Sequence, residues 1–440
     1  MGILIQAAQL LLSLSILVVL HELGHFLPAR FFGTRVEKFY LFFDYKFSLL
    51  KWKRGETEYG IGWIPLGGYV KISGMIDESL DKDQMDKPAE SWEFRAKPAW
   101  QRLIIMVGGV TVNLILGFFI YAMILFFWGK NELPLTSATE GMHYDTLLLE
   151  NGFKEGDKIQ MVGDQTPYDT RDFSSLLFLD NHKTVTVERE GTPTVIDLPA
   201  NLSEQLLEKG ASALAIPRTR YMIGEIEPGS PVDKAGLKLG DYINGVNGKQ
   251  YTYAMEIHHA IVAAAGKSIT LDVTTKEGVQ KSLTLVRNDA GIIGVLPAGP
   301  DQILKVVHHD YSFFQAIPAG VNFGLEVLGK YVKQFKLVFT KAGAKQIGGF
   351  ATMGKLFNKH WDWHQFWEMT ALISIILAFM NILPIPALDG GHIIFLLWEM
   401  IAGKPAPEKV MEYAQYAGMI LLLGLMLFAN GNDIFRLFTK

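Results

Sequence analysis

The chain has 440 residues, of which 49% are hydrophobic and 20% charged, and its formal net charge is −4. This composition makes a membrane protein the first expectation, and the lack of a basic surplus argues against nucleic acid as a partner. The sequence contains no cysteine, which excludes disulfides and thiolate chemistry, so a transition metal would have to bind histidine, aspartate or glutamate.

Four apolar segments are long enough to cross a bilayer, which takes about 20 residues. They cover residues 3–20, 103–128, 369–388 and roughly 414–430. The first has no basic stretch before it and no small-residue cleavage site after it, so we expect a retained span rather than a signal peptide. Four spans leave both termini on the same side of the membrane.

The loop between the first two spans has lysine and arginine clustered near the span ends, among them Arg30, Arg35, Lys97 and Arg102. The positive-inside rule therefore predicts that this loop is cytoplasmic. Residues 130–310 and both termini would then face outward.

A fifth apolar stretch, 313–339, carries charges at three- and four-residue steps. Large apolar residues occupy the opposite face at Leu325, Leu328, Val332, Phe335 and Phe339. This spacing predicts an amphipathic helix that lies on a surface and does not span the membrane.

The outward segment contains an internal repeat: residues 152–164 align without gaps on 236–248 and share the pair Gly-Asp and several apolar positions. Each copy is followed by a predicted helix and by strands with period-two alternation. The pattern resembles PDZ domains, and the first copy is the more degenerate. This resemblance implies that protein or peptide segments bind by strand addition. Two small spacer domains are the alternative.

The first span ends in His21-Glu22-Leu23-Gly24-His25, the motif H-E-x-x-H. On a helix both imidazoles lie on one face, where they can bind zinc, and Glu22 can act as general base. An ionisable residue at the bilayer centre costs about 2.5 to 3.5 kcal/mol, so three of them need an offsetting role. A plain interfacial segment would favour Trp, Tyr, Lys or Arg instead.

Catalytic zinc sites usually have three protein ligands and a water, so a third ligand is needed. The candidate is Asp389, in NILPIPALDGGH at 381–392, where two prolines and two glycines interrupt the third span. Irregular backbone at membrane depth is tolerated only when it is buried or lines a watery cavity. We therefore predict one Zn²⁺ bound by His21, His25 and Asp389.

These two motifs together resemble the site-2 protease family of intramembrane zinc metalloproteases, whose signatures are HExxH and N-x-x-P-x-P-x-L-D-G. Both are complete, and the order of spans and the tandem PDZ-like copies extend the resemblance over nearly the whole chain. The second span departs from the family's G-P-x-x-N, since it reads GGVTVN at 108–113, and Gly348-Gly349 stands where the family often has another G-P. The resemblance implies cleavage of single-span membrane proteins, such as an anti-sigma factor or remnant signal peptides. It also implies a bacterial inner membrane, with the PDZ-like domains and both termini in the periplasm.

A helical substrate must unwind before it is cleaved, and EYGIGWIPLGGYVKIS at 58–73 reads as two short strands around a glycine turn. We predict a membrane-associated β-hairpin whose free edge pairs with the substrate; a cytoplasmic hairpin without a catalytic part is the alternative. The resemblance implies substrate contacts spread over three segments. They are Gly67, Gly68 and Tyr69 of the hairpin, Asn113 of the second span, and Asn381, Pro384 and Pro386 of the interrupted span.

We thus expect a multi-domain protein with an α-helical membrane domain of four spans, the β-hairpin and two tandem PDZ-like α+β domains. The predicted segments are 1–30 (first span), 31–102 (loop with hairpin), 103–129 (second span), 130–218 and 219–300 (PDZ-like domains), 301–366 (linker with amphipathic helix), 367–392 (third span) and 393–440 (loop and fourth span).

Two other functions use the same residues. A metal or proton transporter should show inverted repeats of broken spans, and only one span is broken. A PDZ-bearing scaffold would not need Glu22. The charge run DKDQMD at 81–86 lacks the glycine and the closing glutamate of a calcium loop, and we expect it to be solvated.

Overall fold

The computed structural model describes residues 2–75, 88–180, 182–209, 213–264, 268–287 and 293–439. The charge run at 81–86 therefore lies outside the described residues. Fourteen α-helices are present in the described ranges: α1 Gly2–Phe31, α2 Ala99–Trp128, α3 Thr146–Glu150, α4 Thr170–Leu179, α5 Leu202–Lys209, α6 Pro231–Lys234, α7 Ala254–Ala263, α8 Pro300–Ile303, α9 Phe313–Leu337, α10 Lys341–Gln346, α11 Phe350–Gly354, α12 Trp363–Ile382, α13 Asp389–Ala402 and α14 Glu408–Thr439.

Seventeen strands complete the described elements: β1 Val36–Phe43, β2 Leu50–Arg54, β3 Thr57–Ile61, β4 Ile64–Ile72, β5 Lys130–Glu132, β6 Met142–Tyr144, β7 Lys158–Val162, β8 Thr184–Arg189, β9 Thr192–Asp197, β10 Ala215–Pro217, β11 Tyr221–Ile226, β12 Tyr242–Val246, β13 Lys249–Gln250, β14 Ser268–Thr274, β15 Gln280–Val286, β16 Val295–Pro297 and β17 Val307–His309. The chain forms two compact units. Unit 1 contains Met1–Gly129 and Asp310–Lys440, and unit 2 contains Lys130–His309.

Four helices of unit 1, namely α1, α2, α12 and α14, are long and apolar enough to cross a membrane. Central among them is α2, which packs against α1, α9, α12 and α13. The third predicted span ends earlier than expected, at Ile382, because Pro384 and Pro386 follow and cannot continue a helix. Asp389 is the first residue of a separate helix, α13, and residues 393–402, predicted as loop, are helical.

The amphipathic helix, α9, is not among the candidate spans found in the described residues. Ala316, Gly320 and Gly324 are buried against the rest of unit 1, whereas Leu325 and Val332 are exposed, as an apolar face that meets a lipid surface would be. The small residues let the α9 backbone approach α2, since a Cβ at Gly320 would overlap the Ala122 backbone. Close approach through small residues spaced by four is typical of helix pairs in membranes, and hydropathy alone gives it little weight.

The predicted hairpin at 58–73 is wrong in its pairing. Strands β3 and β4 occupy this segment, but the sheet has the order β2-β3-β1-β4, so β1 lies between them. Strand β1 pairs parallel with β3 and antiparallel with β4. Strand β1, Val36–Phe43, is not among the predicted strands. It hydrogen-bonds to β3 on one edge and to β4 on the other, and these two pairings replace the predicted pairing of β3 with β4. The free edge of β4 is nevertheless present.

In unit 2, the internal repeat corresponds to one local structure that occurs twice. Gly156 and Gly240 have φ of 90° and 89°, a conformation that glycine adopts without steric cost. The following aspartates close the same turn, because the Asp157 and Asp241 carboxylates each accept a hydrogen bond of 2.9 Å from the backbone N–H three residues earlier. The shared Gly-Asp pair is therefore explained by turn geometry.

Around these turns are two small β-rich cores. The first contains the three-stranded sheet β7-β8-β9 and the pair β10-β6, and the second contains the sheet β15-β14-β12-β11-β16 with β13 on β12. Each core buries its own apolar cluster. The strands β10 and β16 lie at sheet edges. Separately, β5 and β17 pair with each other and bring the two ends of unit 2 together.

Candidate active site

The two histidines of the first motif lie on one face of α1, with their rings 4.9 Å apart. The helix continues through His25 without interruption and approaches α2 very closely. A Cβ at Gly24 would lie 2.5 Å from the Gly108 carbonyl oxygen, and one at Gly109 would overlap the His25 ring. The absence of side chains at Gly24, Gly108 and Gly109 therefore makes room for the imidazoles between the two helices.

The aspartate comes from the far end of the chain. After α12 the backbone turns at residues 383–388, with Ala387 at φ 74°, and α13 starts at Asp389. Gly390 and Gly391 pack against the turn so tightly that a side chain at either position would collide with its backbone. This compact turn, with its two prolines and two glycines, fixes the direction of the Asp389 carboxylate.

Three polar atoms converge at this point. The Asp389 Oδ2 atom lies 3.3 Å from His21 Nε2 and 3.4 Å from His25 Nε2, and the two Nε2 atoms are 3.3 Å apart. Atoms bound at about 2.0 to 2.1 Å to a tetrahedral zinc are separated by about 3.3 to 3.4 Å, so the triangle fits this ion. Within the described residues, Asp389 Oδ2 is buried and has no hydrogen-bond partner. No other described group of His, Asp and Glu converges in this way.

The outer faces of both imidazoles contact α2. His25 Nδ1 lies 2.8 Å from the carbonyl oxygen of Ile105, and His21 Nδ1 lies 3.2 Å from Nδ2 of Asn113. Contacts of this kind orient metal-binding histidines and select their tautomer. Asn113 is therefore in contact with His21, one of the predicted metal ligands.

A cavity of about 510 Å³ opens at the site and is lined by Glu22 and Asp389 together with Gly68 and Tyr69 of β4. The backbone N–H of Val70 donates a hydrogen bond to the Glu22 carboxylate. A carboxylate beside the two histidines and inside the cavity can take a proton from water. The edge strand β4 is thus in contact with the predicted general base.

The structure brings together only part of the predicted substrate-binding set. Gly68 and Tyr69 line the cavity. The other five predicted contacts are not among the described residues that line the cavity; they are Gly67, Asn113, Asn381, Pro384 and Pro386. Pro386 instead packs against Gly418 of α14.

A polar cluster at the cavity wall was missed by sequence reasoning. Tyr69 donates a 2.8 Å hydrogen bond to Asp44, and Lys38 lies 3.2 Å from the same carboxylate. Burial acts to raise the pKa of Asp44, but the hydrogen bonds from Tyr69 and Lys38 outweigh it and hold that pKa below its usual value. The sequence of β1, VEKFYLFF, does not alternate, so no pattern pointed to Lys38, which lines the cavity.

An HExxH motif on a helix able to cross a membrane, a remote aspartate that joins its two histidines, and a cavity beside them are the features of a membrane-embedded metallopeptidase. The model of peptidase family M50 matches residues 9–425, and the chain belongs to this family. The predicted resemblance to site-2 proteases is confirmed, and so is the predicted enzyme class, a zinc metallopeptidase. Neither the transporter nor the scaffold is favoured.

Several relatives match over nearly their whole length. A protein of Neisseria meningitidis serogroup A that is named as a zinc metalloprotease is 30% identical over 97% of this chain and 98% of its own. The regulator of sigma-E protease RseP of Escherichia coli K12 is 29% identical over 98% of both chains. The regulator of sigma E protease of Haemophilus influenzae is 28% identical over 99% of this chain and 100% of its own.

Proposed function

We propose that this chain is a zinc-dependent intramembrane endopeptidase in which His21, His25 and Asp389 hold the ion and Glu22 is the general base. The observation that carries the proposal is the convergence of His21 Nε2, His25 Nε2 and Asp389 Oδ2 within 3.3 to 3.4 Å of one another. The presence of Glu22 in the adjoining cavity supports a catalytic use of the ion.

When bound, zinc polarises the scissile carbonyl and makes a water acidic enough to be deprotonated near neutral pH. The chain's own part is proton transfer and positioning. Glu22 takes a proton from the water that attacks the carbonyl carbon and then delivers it to the amine nitrogen as the C–N bond breaks. The products are one carboxylic acid and one amine, so no further reactant is required.

We propose that β4 holds the substrate in an extended conformation. It is an edge strand, so its outer backbone groups are available for a further strand, and Gly68 and Tyr69 line the cavity beside Glu22. Strand addition breaks the hydrogen bonds of a substrate helix and presents a peptide bond to the site. Gly67, Asn381, Pro384 and Pro386 stay as predicted substrate contacts.

We propose that the two cores of unit 2 are PDZ-type peptide-binding domains. The repeat, the edge positions of β10 and β16, and a cavity of about 930 Å³ lined by residues that adjoin both strands support this proposal. A peptide segment of a membrane protein is the expected ligand.

The names of the relatives indicate a role in a sigma-E regulatory pathway for those proteins. We propose the same role here, with a single-span anti-sigma factor as substrate and the bacterial inner membrane as location. The clustered lysines and arginines of the first loop support a cytoplasmic loop, and hence a periplasmic unit 2 and periplasmic termini.

The deciding experiment compares purified protein with its Glu22→Gln variant on a single-span test substrate in lipid nanodiscs. We expect the variant to bind zinc as the parent does and to cleave about 10²- to 10⁴-fold more slowly, the range for loss of a general base. A variant that cleaves as fast as the parent would exclude Glu22 as the base. A parent without zinc would contradict the whole proposal.

A further inference from the structure

The two imidazoles of the site differ in what their outer nitrogens face. His25 Nδ1 lies 2.8 Å from the Ile105 carbonyl oxygen, which can only accept a hydrogen bond. Nδ1 of His25 must therefore carry the hydrogen, and its Nε2 presents a lone pair. His25 is held in the tautomer that binds a metal through Nε2.

His21 is in the opposite situation. Its Nδ1 lies 3.2 Å from Asn113 Nδ2, and an amide nitrogen can only donate. With the amide nitrogen beside it, Nδ1 of His21 would accept and Nε2 would have no lone pair for a metal. The two ends of an amide have the same shape, so the same position also admits Oδ1 beside Nδ1, which leaves the Nε2 lone pair for a metal. Nε2 is nevertheless the atom that points toward Asp389 and His25.

The amide of Asn113 also has an unused acceptor. Asn113 is 1% exposed, and within the described residues its Oδ1 atom is buried without a hydrogen-bond partner. A buried amide oxygen without a partner costs about 1 to 3 kcal/mol. The two unmatched atoms are adjacent: Nδ1 of His21 faces no hydrogen-bond acceptor, and within the described residues Oδ1 of Asn113 faces no donor.

We infer that Asn113 is a positioning residue whose side-chain amide selects the metal-binding tautomer of His21. With Oδ1 beside His21 Nδ1, that nitrogen carries the hydrogen and Nε2 presents its lone pair to the ion. This inference rests on the proposed function, since it assumes that His21 is a zinc ligand.

The surroundings of Asn113 suit this role better than the predicted contact with substrate. Asn113 lies one turn beyond Gly109 on α2, so both residues are on the helix face toward the imidazoles. The Ser374 hydroxyl donates a 2.7 Å hydrogen bond to the Asn113 backbone oxygen, which ties α2 to α12 without involving the amide. An asparagine amide offers both a donor and an acceptor to the imidazole. Aspartate can only accept, and leucine can do neither.

The test measures zinc affinity by chelator competition on the full chain in nanodiscs, with Glu22→Gln in every variant to stop self-cleavage. Asn113→Leu should weaken zinc binding by about 10- to 100-fold, the range for loss of an outer partner of a metal-binding histidine. Asn113→Asp should bind zinc at least as tightly as the parent. Ser374→Ala is the matched control, because it perturbs the same helix contact and leaves His21 untouched, and its affinity should equal that of the parent.

Equal zinc affinity in Asn113→Leu and the parent would overturn the inference. If Asn113→Leu does not fold, Asn113→Asp decides alone, and a tenfold weaker affinity in that variant overturns it. With Glu22 restored, a KM raised by Asn113→Asp at unchanged zinc affinity would assign Asn113 to substrate instead. A parent that binds no zinc, or binds it equally well after His21→Ala, refutes the proposed function and is thereby distinguished from failure of this inference.

Discussion

His21 Nε2 and Asp389 Oδ2 lie 3.3 Å apart although they come from opposite ends of the chain. The first belongs to α1 and the second begins α13, and α2 packs against both helices. The site therefore depends on how three helices pack together.

Asp389→Asn replaces the carboxylate by a neutral amide, which is a much weaker zinc ligand. We expect zinc affinity to fall by more than the about 10- to 100-fold that is typical of losing an outer partner. Peptidase activity at limiting zinc should fall in parallel. Zinc content measured by atomic spectroscopy after gel filtration checks the result.

Asp44→Asn is a suitable control for this variant, because Asp44 lines the same cavity and pairs with Lys38 rather than with an imidazole. Its zinc content should match that of the parent. Full zinc occupancy in Asp389→Asn would remove Asp389 from the ligand set.

Hydropathy located the spans well, because about 20 apolar residues in a row have few other stable environments. The motif spacing likewise pointed to His21, His25 and Asp389, since the chemistry of zinc restricts which residues can bind it. Both predictions depend on short stretches of sequence. In the structure, the four candidate spans and the three converging side chains lie in the segments that these stretches indicated.

Features that depend on long-range packing were harder to predict. The pairing of 58–73 as a hairpin was wrong, because the order of strands depends on β1, a segment outside the stretch that was considered. The contact between Asn113 and His21 joins two helices whose facing depends on Gly24 and Gly109. No periodicity in the sequence indicates which small residues of a span allow a neighbouring backbone to approach.

Gly109→Ala should disturb the metal site without replacing a ligand. A Cβ at this position would overlap the His25 ring, so either the imidazole or helix α1 must move. We expect zinc affinity to fall by at least tenfold, as it does when a metal-binding histidine loses the partner that orients it. Isothermal titration with zinc after chelator removal measures the change.

Gly424→Ala provides the matched control for this substitution. Gly424 lies in α14, and no described heavy atom comes within 4 Å of a Cβ built there. Alanine in place of an exposed helical glycine should stabilise the helix by about 0.5 to 1 kcal/mol and leave zinc binding unchanged. If both variants bind zinc like the parent, the close approach of Gly109 to His25 has no functional consequence.

Removal of unit 2 should leave the metal site intact. Strands β5 and β17 pair Lys130 with His309, and paired residues of antiparallel strands have Cα atoms about 4.5 to 5.5 Å apart. In unit 1, Phe126 and Phe313 have ring centroids 5.7 Å apart, so the two ends of the gap are also close there. A short Gly-Ser linker from Gly129 to Asp310 can therefore replace the whole unit.

We expect this shortened protein to bind zinc within about threefold of the parent affinity, since the three proposed zinc ligands all lie in unit 1. It should also cleave a minimal single-span substrate. The same deletion combined with Glu22→Gln must be inactive. Loss of zinc from the shortened protein would show that unit 1 does not fold by itself.

Arg189→Ala should destabilise the first core of unit 2 far more than an ordinary surface substitution. The Arg189 guanidinium donates hydrogen bonds of 2.8 and 2.7 Å to the two oxygens of Asp157, whose side chain is only 1% exposed. This hydrogen-bonded pairing raises the pKa of Arg189 above its usual value, so the guanidinium is charged at any working pH. Removal of the arginine leaves a buried carboxylate without its partner.

The expected loss of unfolding free energy is about 3 to 5 kcal/mol, the range for breaking one side of a buried ion pair. The second core offers a matched control, because its equivalent aspartate, Asp241, accepts a 3.0 Å hydrogen bond from the backbone N–H of Lys276 rather than from a side chain. Lys276→Ala keeps that donor and should cost less than about 0.5 kcal/mol. Urea unfolding of the isolated unit, residues 130–309, measures both changes. Equal stability of the two variants would mean that Asp157 is satisfied without Arg189, because the backbone N–H of Lys154 alone would then suffice.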